Sequence, residues 1–142
     1  VGSALQGVDM VVSLDRIKRG RRYSRPELAE LWGYASYHAL ARGVVTPQGD
    51  NKIILFVTRD KPDYIEQYRH ELVGDILRWE GPTDHFAEER MINHVDHGDE
   101  IHVFYRERHH TDFTYEGEFE VVEFELFGDR PSRFVLERNP EN

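Results

Sequence analysis

Cysteine is absent from this 142-residue chain. That excludes a disulfide framework and any thiolate metal site, and it fits a reducing cytosol. No run approaches the roughly 18 apolar residues of a membrane-spanning helix. The first residues show no charged-then-apolar signal pattern. The chain opens Val-Gly-Ser rather than with methionine, as expected of a piece of a longer protein. There is no Gly-x-Ser-x-Gly elbow, no phosphate-cradling glycine loop and no zinc-protease helix, so nothing marks an enzyme. Internal repeats and low-complexity segments are also missing. These absences leave a cytoplasmic domain with no catalytic residues, no cofactor and no membrane partner.

What is present is enough for one core. Hydrophobic residues make up 39% and aromatic residues 12% of the chain, too much apolar and ring surface for disorder. Net charge is −9, which counts against general nucleic-acid binding, because phosphate neutralisation needs clustered Lys and Arg. The distribution answers part of that objection. Arg16, Lys18, Arg19, Arg21, Arg22 and Arg25 crowd into ten positions with no acid among them. A protein with one basic edge and an acidic body can sit on a duplex, oriented by that edge. The alternative is a solvated linker, or a patch facing an acidic partner domain.

Residues 98–126 organise the rest. Ile101 to Tyr105 and Phe119 to Phe124 are rich in the β-branched and aromatic residues that fit a pleated surface. Between them Phe113 and Tyr115 share a face, and Gly117 marks a turn or a bulge. This reads as a three-strand spine. Ile53 to Val57, the most apolar run, predicts a central strand covered on both faces. Further strands are expected at residues 76–79 and 133–136. Val8, Met10, Val11 and Val12 form either a first strand or a fraying end. Short helices are expected over residues 63–68 and around Met91, Ile92 and Val95, the latter turning Glu88, Glu89 and Arg90 outward.

Ser24 and Glu27 form a capping box, with Pro26 tolerated in the first turn. Leu28, Leu31 and Trp32 then make an apolar stripe, and Gly33 ends the helix. A second short helix is expected from Ser36 to Ala41. The pair matches a helix-turn-helix except that Ala39 stands where a branched aliphatic residue is needed and Leu40 comes one position late. A helical hairpin lying on the sheet is the other reading. On either, Ser36, Tyr37, His38 and Arg42 face outward and are placed to read a groove.

Eight histidines raise the question of metal. His94, Asp96 and His97 with His109 and His110 offer ligand atoms, but their spacing is not diagnostic and no metal is expected. The carboxylate pairs Glu118 with Glu120 and Glu123 with Glu125 lie at strand spacing, as solvent-facing strands of acidic proteins commonly have. The better constellation is aromatic: Trp32, Tyr34, Tyr37, Trp79, Phe104, Tyr105, Phe113 and Tyr115, several beside polar neighbours. A pocket for a flipped base needs rings to stack on its faces and donors or acceptors for its edge. Trp79-Glu80-Gly81 puts a ring and a carboxylate at a strand end.

The segments 23–29, 33–47, 54–56, 77–81, 101–106 and 113–117 together resemble an uncharacterised domain. It occurs beside HNH modules of restriction endonucleases and at the end of bacterial superfamily-two helicases that carry a phospholipase-D-like nuclease. The similarity runs from about Tyr23 to Leu136. It implies a specificity module of modification-dependent restriction or defence against foreign DNA, similar to PUA-like and SRA-like readers that extrude a modified base into an aromatic pocket. The implied fold is α+β: a small, curled, partly closed β-sheet, PUA/SRA-like and barrel-forming, with a short helical hairpin near the N-terminus.

The implied organisation is a basic segment 1–22, one DNA-reading domain 23–138 and a tail 139–142. Arg16, Lys18, Arg19, Arg21 and Arg22 would hold phosphates. Ser36, Tyr37, His38 and Arg42 would lie at the groove. Trp79, Glu80, Tyr105 and Tyr115 would form the base pocket. The implied partners are double-stranded DNA carrying a modified base and a fused or associated HNH nuclease or helicase, with any nuclease outside these residues. Two rival readings stand beside this one: a protein-docking module of a helicase or nuclease complex, using the acidic surface, and a small acid/base enzyme on a cupin-like or barrel scaffold.

Overall fold

The computed structural model of the chain describes residues 12–59 and 70–140. Most of the apolar start (Val8, Met10 and Val11) and the helix expected over residues 63–68 lie outside the described residues.

Eight strands of the described residues join in one sheet: β1 (Arg22–Tyr23), β2 (Val44–Val45), β3 (Lys52–Thr58), β4 (Glu71–Val73), β5 (Ile76–Glu80), β6 (Glu100–Arg106), β7 (Phe113–Glu125) and β8 (Arg133–Arg138). The order is β2-β3-β6-β7-β8-β5-β4, and β1 pairs with β7 off that path. Only β3 and β6 run parallel, in register from Lys52 opposite Glu100 to Thr58 opposite Arg106. The parallel pair sits inside the sheet, so both its faces are covered and both strands are apolar without alternation. Ile54, Phe56 and Phe104 enter one core layer with Tyr23, Leu28, Trp32 and Phe113. Ile53, Leu55, Val57, Val103 and Tyr105 enter the other with Leu77, Trp79, Phe134 and Leu136.

The expected closure does not occur. Among the described residues the sheet is open, ending at β2 and β4, strands of two and three residues. The expected three-strand spine is instead a hairpin of two. β7 runs unbroken for 13 residues, because Gly117, at φ +102, absorbs a bulge that leaves Glu116 unmatched between Val103 and Phe104. A left-handed φ suits glycine there, so the chain bends without ceasing to pair. β6 occupies one edge of β7. β1 and β8 share the other, β1 at Phe113 and Thr114, β8 from Phe119 onward.

Helix α1 (Arg25–Leu31) has the capping box expected of it: Glu27 N donates to Ser24 Oγ at 3.1 Å and Ser24 N to Glu27 Oε1 at 3.4 Å. Its buried face is Leu28, Ala29 and Trp32, whereas Leu31 is turned outward. The second helix of the expected hairpin is a single 3₁₀ turn (Tyr37–Leu40) capped by Ser36. The tighter three-residue period brings Leu40 inside and leaves Ala39 exposed, which removes the register mismatch and the helix-turn-helix with it.

The segment after β5 makes two short helices, α2 (Glu88–Ile92) and α3 (His94–His97). Here Met91 and His94 are buried and Val95 is exposed. Arg90 is not turned outward, since it binds the Asp99 carboxylate at 2.9 Å and the Asp50 carbonyl at 2.9 Å. His94 is no solvated loop histidine either. It accepts from Val121 N at 3.2 Å, which assigns its other nitrogen as donor to the Asp99 carbonyl, also 3.2 Å.

Candidate nucleic-acid interface

The carboxyl ends of the parallel strands bring together residues far apart in sequence. β3 ends at Thr58 and β6 at Arg106, and Arg59 N donates to the Arg106 carbonyl at 2.9 Å. Arg106 extends from this end, its Nε donating to Thr58 Oγ1 at 2.8 Å and its Nη1 to the Thr111 carbonyl at 3.0 Å. Its guanidinium carbon lies 4.2 Å from the centre of the Phe113 ring. Arg25, set by the capping box at the first position of α1, approaches the same ring at 4.9 Å and Phe56 at 4.7 Å. Arg25 Nε donates to the Leu40 carbonyl at 2.6 Å and Nη2 to the Arg42 carbonyl at 3.4 Å.

Two half-buried cations thus meet around one buried ring, and every acceptor they hold among the described residues is neutral. Burial first, and then the charge of Arg106, pull the Arg25 guanidinium below its ordinary pKa; burial does the same to Arg106.

Beside this stack opens a cavity of about 530 Å³ lined by Arg22, Tyr105, Arg106 and Arg108, with Leu72 and Thr114. Glu107, Asp112 and Glu116 also reach it, but the Glu116 carboxylate is taken by Arg138 at 2.8 Å. Tyr105 is buried to 8% exposure and its hydroxyl accepts from Leu72 N at 3.4 Å. Burial raises its pKa. The cavity therefore has an aromatic wall and a rim of three arginines interrupted by Glu107 and Asp112; the ring and the arginines are the groups that a base with its flanking phosphates would need.

The residues singled out from sequence scatter over several regions. Arg16, Lys18, Arg19, Arg21 and Arg22 are all exposed, but they do not form a loose arm. Gly20 N donates to the Tyr115 carbonyl at 2.8 Å, and Tyr115 N to the Arg21 carbonyl at 3.0 Å. The segment is pinned along β7, so its charges diverge. Arg22 joins the cavity described above, whereas Arg19 lies near Gly117, Glu118 and Arg138. Tyr37 is 45% exposed and stacks on His38 at 4.5 Å, with Ser36 Oγ 3.1 Å from His38 Nδ1. Arg42 pairs with Asp84 at 3.1 Å and covers Phe86.

The four expected pocket residues do not converge. Trp79 is 3% exposed, packed on Phe134 at 5.5 Å and near His70 at 6.3 Å. It shares a core layer with Tyr105, and Glu80 beside it is half-buried. Tyr115 belongs to the opposite layer, because it lies opposite Phe104 and not Tyr105, and alternate residues of a strand face opposite sides. Its hydroxyl meets buried His102 Nδ1 at 2.8 Å, and His102 Nε2 meets Glu100 Oε1 at 2.9 Å. Glu118 completes a group of three potential ligands with Glu100 and His102. A carboxylate can only accept, so His102 donates from Nε2 and receives the Tyr115 proton at Nδ1, which satisfies the ring without a metal. Burial holds the His102 pKa below the ordinary value, against the opposing pull of Glu100 and Glu118.

Arg25 and Phe113 enter the sequence reading only as members of the basic run and of the aromatic set, without a place in the site, and Arg106 and Arg108 are given no role there. Arg106 and Arg108 stand in an alternating run, Tyr105-Arg106-Glu107-Arg108, that reads as an ordinary charged turn. Only the parallel register of β6 with β3 and the position of α1 make a cluster of them.

No family model and no curated protein matches the sequence. Solved structures do match the fold. The SRA domain of SUVH5 in complex with hemimethylated CG DNA superposes with a TM-score of 0.64 at 16% identity, covering 94% of this chain and 96% of that one. The same domain with methylated CHH DNA gives 0.59 at 14% identity over the same shares. The chain has the fold of an SRA domain.

Proposed function

We propose that this chain is a DNA-binding module that recognises a modified base in duplex DNA, taking the base out of the stack and into the cavity walled by Tyr105. The observation that carries this reading is the juxtaposition of Arg22, Arg106 and Arg108 with Tyr105 at one end of the sheet. Support comes from a fold shared over nearly the whole chain with domains solved on methylated DNA. Trp79, buried in the core layer that also holds Tyr105, serves as packing rather than as a stacking surface. Arg16, Lys18 and Arg21, all exposed, are left free to meet phosphates outside the cavity. The domain itself binds without catalysing. In the setting that the sequence resemblance implies, it directs an HNH nuclease or a helicase of a modification-dependent restriction or defence system, inside the cell.

The test is a titration of the protein against one short duplex carrying in turn cytosine, 5-methylcytosine, 5-hydroxymethylcytosine or N6-methyladenine, at two salt concentrations. Binding to one modified duplex at least about tenfold tighter than to the plain one is expected, with the logarithm of the affinity falling linearly in the logarithm of salt. Equal or absent binding to all four overturns the reading. A protein-docking role has one observation in its favour: Val122 and Phe124 on acidic β7, and Leu126 just after it, are about half exposed. That role predicts no binding to any of the duplexes.

A further inference from the structure

We infer that Arg25 and Arg106, held around Phe113, form a preorganised site for a phosphodiester. This inference rests on the DNA-binding reading and adds to it the residues that grip the backbone beside the extruded base. They differ from the exposed basic segment that the sequence suggests for that role.

Burying a guanidinium is costly unless a counter-charge accompanies it. Arg90 and Arg138 elsewhere in the molecule follow that rule, with Asp99 and Glu116 as partners. Among the described residues Arg25 and Arg106 have no such partner. Their hydrogen bonds go to the Leu40 and Arg42 carbonyls and to Thr58 Oγ1 and the Thr111 carbonyl, and each lies against the other's positive field. A guanidinium has five N–H donors. Two on each arginine are fixed by these neutral acceptors, which orient the planar group and leave three donors unspent. The aromatic faces of Phe56 and Phe113 offset part of the desolvation.

Two oriented forks that repel each other are stabilised by an anion that both can contact, and the planar fork matches the geometry of phosphate oxygens. Arg22 and Arg108 line the cavity adjoining Arg106, so a strand laid across this edge would meet further positive charge on leaving the site. The nucleic-acid backbone is favoured over a free small anion because the site opens beside a cavity of about 530 Å³ with a tyrosine wall, large enough for the attached base.

The test compares wild type with Arg106→Gln, and with Arg130→Gln as a control for net charge. Arg130 is 61% exposed and lies by Asp129, away from the cavity. Two readouts are needed: duplex affinity as a function of salt for one plain and one modified duplex, and the unfolding midpoint with inorganic pyrophosphate against chloride at equal ionic strength.

R106Q is expected to weaken both duplexes alike, on the order of tenfold, and to make the salt slope shallower by about one while keeping the ratio between the duplexes. Pyrophosphate should raise the wild-type midpoint and not that of R106Q, and R130Q should behave as wild type. Unchanged affinity and slope in R106Q overturns the site. So does a lost ratio with an unchanged slope, which would make Arg106 a base reader. If wild type binds no duplex at all, the DNA reading fails; Arg106-dependent protection by pyrophosphate then keeps the anion site, and its absence removes that too. Should R106Q not fold, Arg106→Lys keeps the charge and loses the fork, and is expected to keep the slope while losing affinity.

Discussion

Arg138 grips Glu116 twice, with Nε on its backbone carbonyl at 2.8 Å and Nη2 on its carboxylate at 2.8 Å. The contact falls on the stretch of β7 edge that neither β1 nor β8 covers. A bulged residue would otherwise leave a carbonyl there without a ladder partner. The same guanidinium reaches the Gly74 carbonyl at 3.1 Å and the Asp75 carboxylate, so it ties the β4–β5 turn to the centre of the sheet.

Arg138→Met is therefore expected to destabilise the domain by about 3 kcal/mol. This is the low end of the cost of breaking a buried pair, because Asp75 is itself 66% exposed. Glu116→Gln should cost about 1–2 kcal/mol, since the backbone half of the contact survives. Urea unfolding of both variants checks this. A loss under about 1 kcal/mol for Arg138→Met would mean that the edge is bridged by other means.

Gly117 supplies a second prediction. A Cβ there would meet only ordinary contacts, the nearest being Arg19 Cδ at 3.7 Å, so the cost of Gly117→Ala is in the backbone. With φ at +102, the expected loss is about 1–2 kcal/mol. Gly128→Ala, with open space and no left-handed φ, should be close to neutral. Equal effects at the two positions would refute the argument.

These two residues mark how far the sequence could be read. Local signals were legible: the capping box at Ser24, the glycine stop at Gly33, the doubly buried run of β3 and the closing strand β8 all follow from residues within a turn or two of one another. Gly117 announced an irregularity, but turn and bulge look alike until the partner strand is known, and so one long strand read as two. Tyr115 and Tyr105 both looked like pocket rings. The bulge at Glu116 and the alternation of the strands put them in different layers, which no local pattern reveals. The Arg25–Phe113–Arg106 stack needs three pairings at once, β3 with β6, β6 with β7 and α1 with the sheet, and none of these is encoded nearby.

Trp79 and Tyr105 should separate under mutation. Trp79→Ala removes a buried ring packed on Phe134 and is expected to cost about 3–5 kcal/mol of stability, while Trp79→Phe should retain duplex binding. Tyr105→Ala should lose about 1–3 kcal/mol of binding to the modified duplex, the usual worth of a base stacked on an aromatic ring. Tyr105→Phe, which keeps the ring, should lose far less. If Trp79→Phe abolished discrimination between modified and plain duplex with stability intact, Trp79 would be the stacking surface and the cavity at Tyr105 would not hold the base.

His102 makes stability depend on pH in a direction that can be worked out. Burial keeps its folded pKa below the ordinary histidine value, with Glu100 and Glu118 only partly opposing. As pH falls through about 6.5 the unfolded chain takes the proton first. Between the unfolded and folded values the unfolded state binds more protons, so this group's contribution is complete above about pH 7 and is lost as pH falls toward the folded value. The slope from one proton is about 1.4 kcal/mol per pH unit where the difference in protonation is full. Unfolding free energies of wild type and His102→Gln between pH 5 and 8 test this, because subtracting the two curves removes what the other histidines contribute. The wild-type curve should drop more steeply below about pH 6.5. Parallel curves would mean that His102 takes its proton as readily in the folded protein, with Glu100 and Glu118 outweighing its burial.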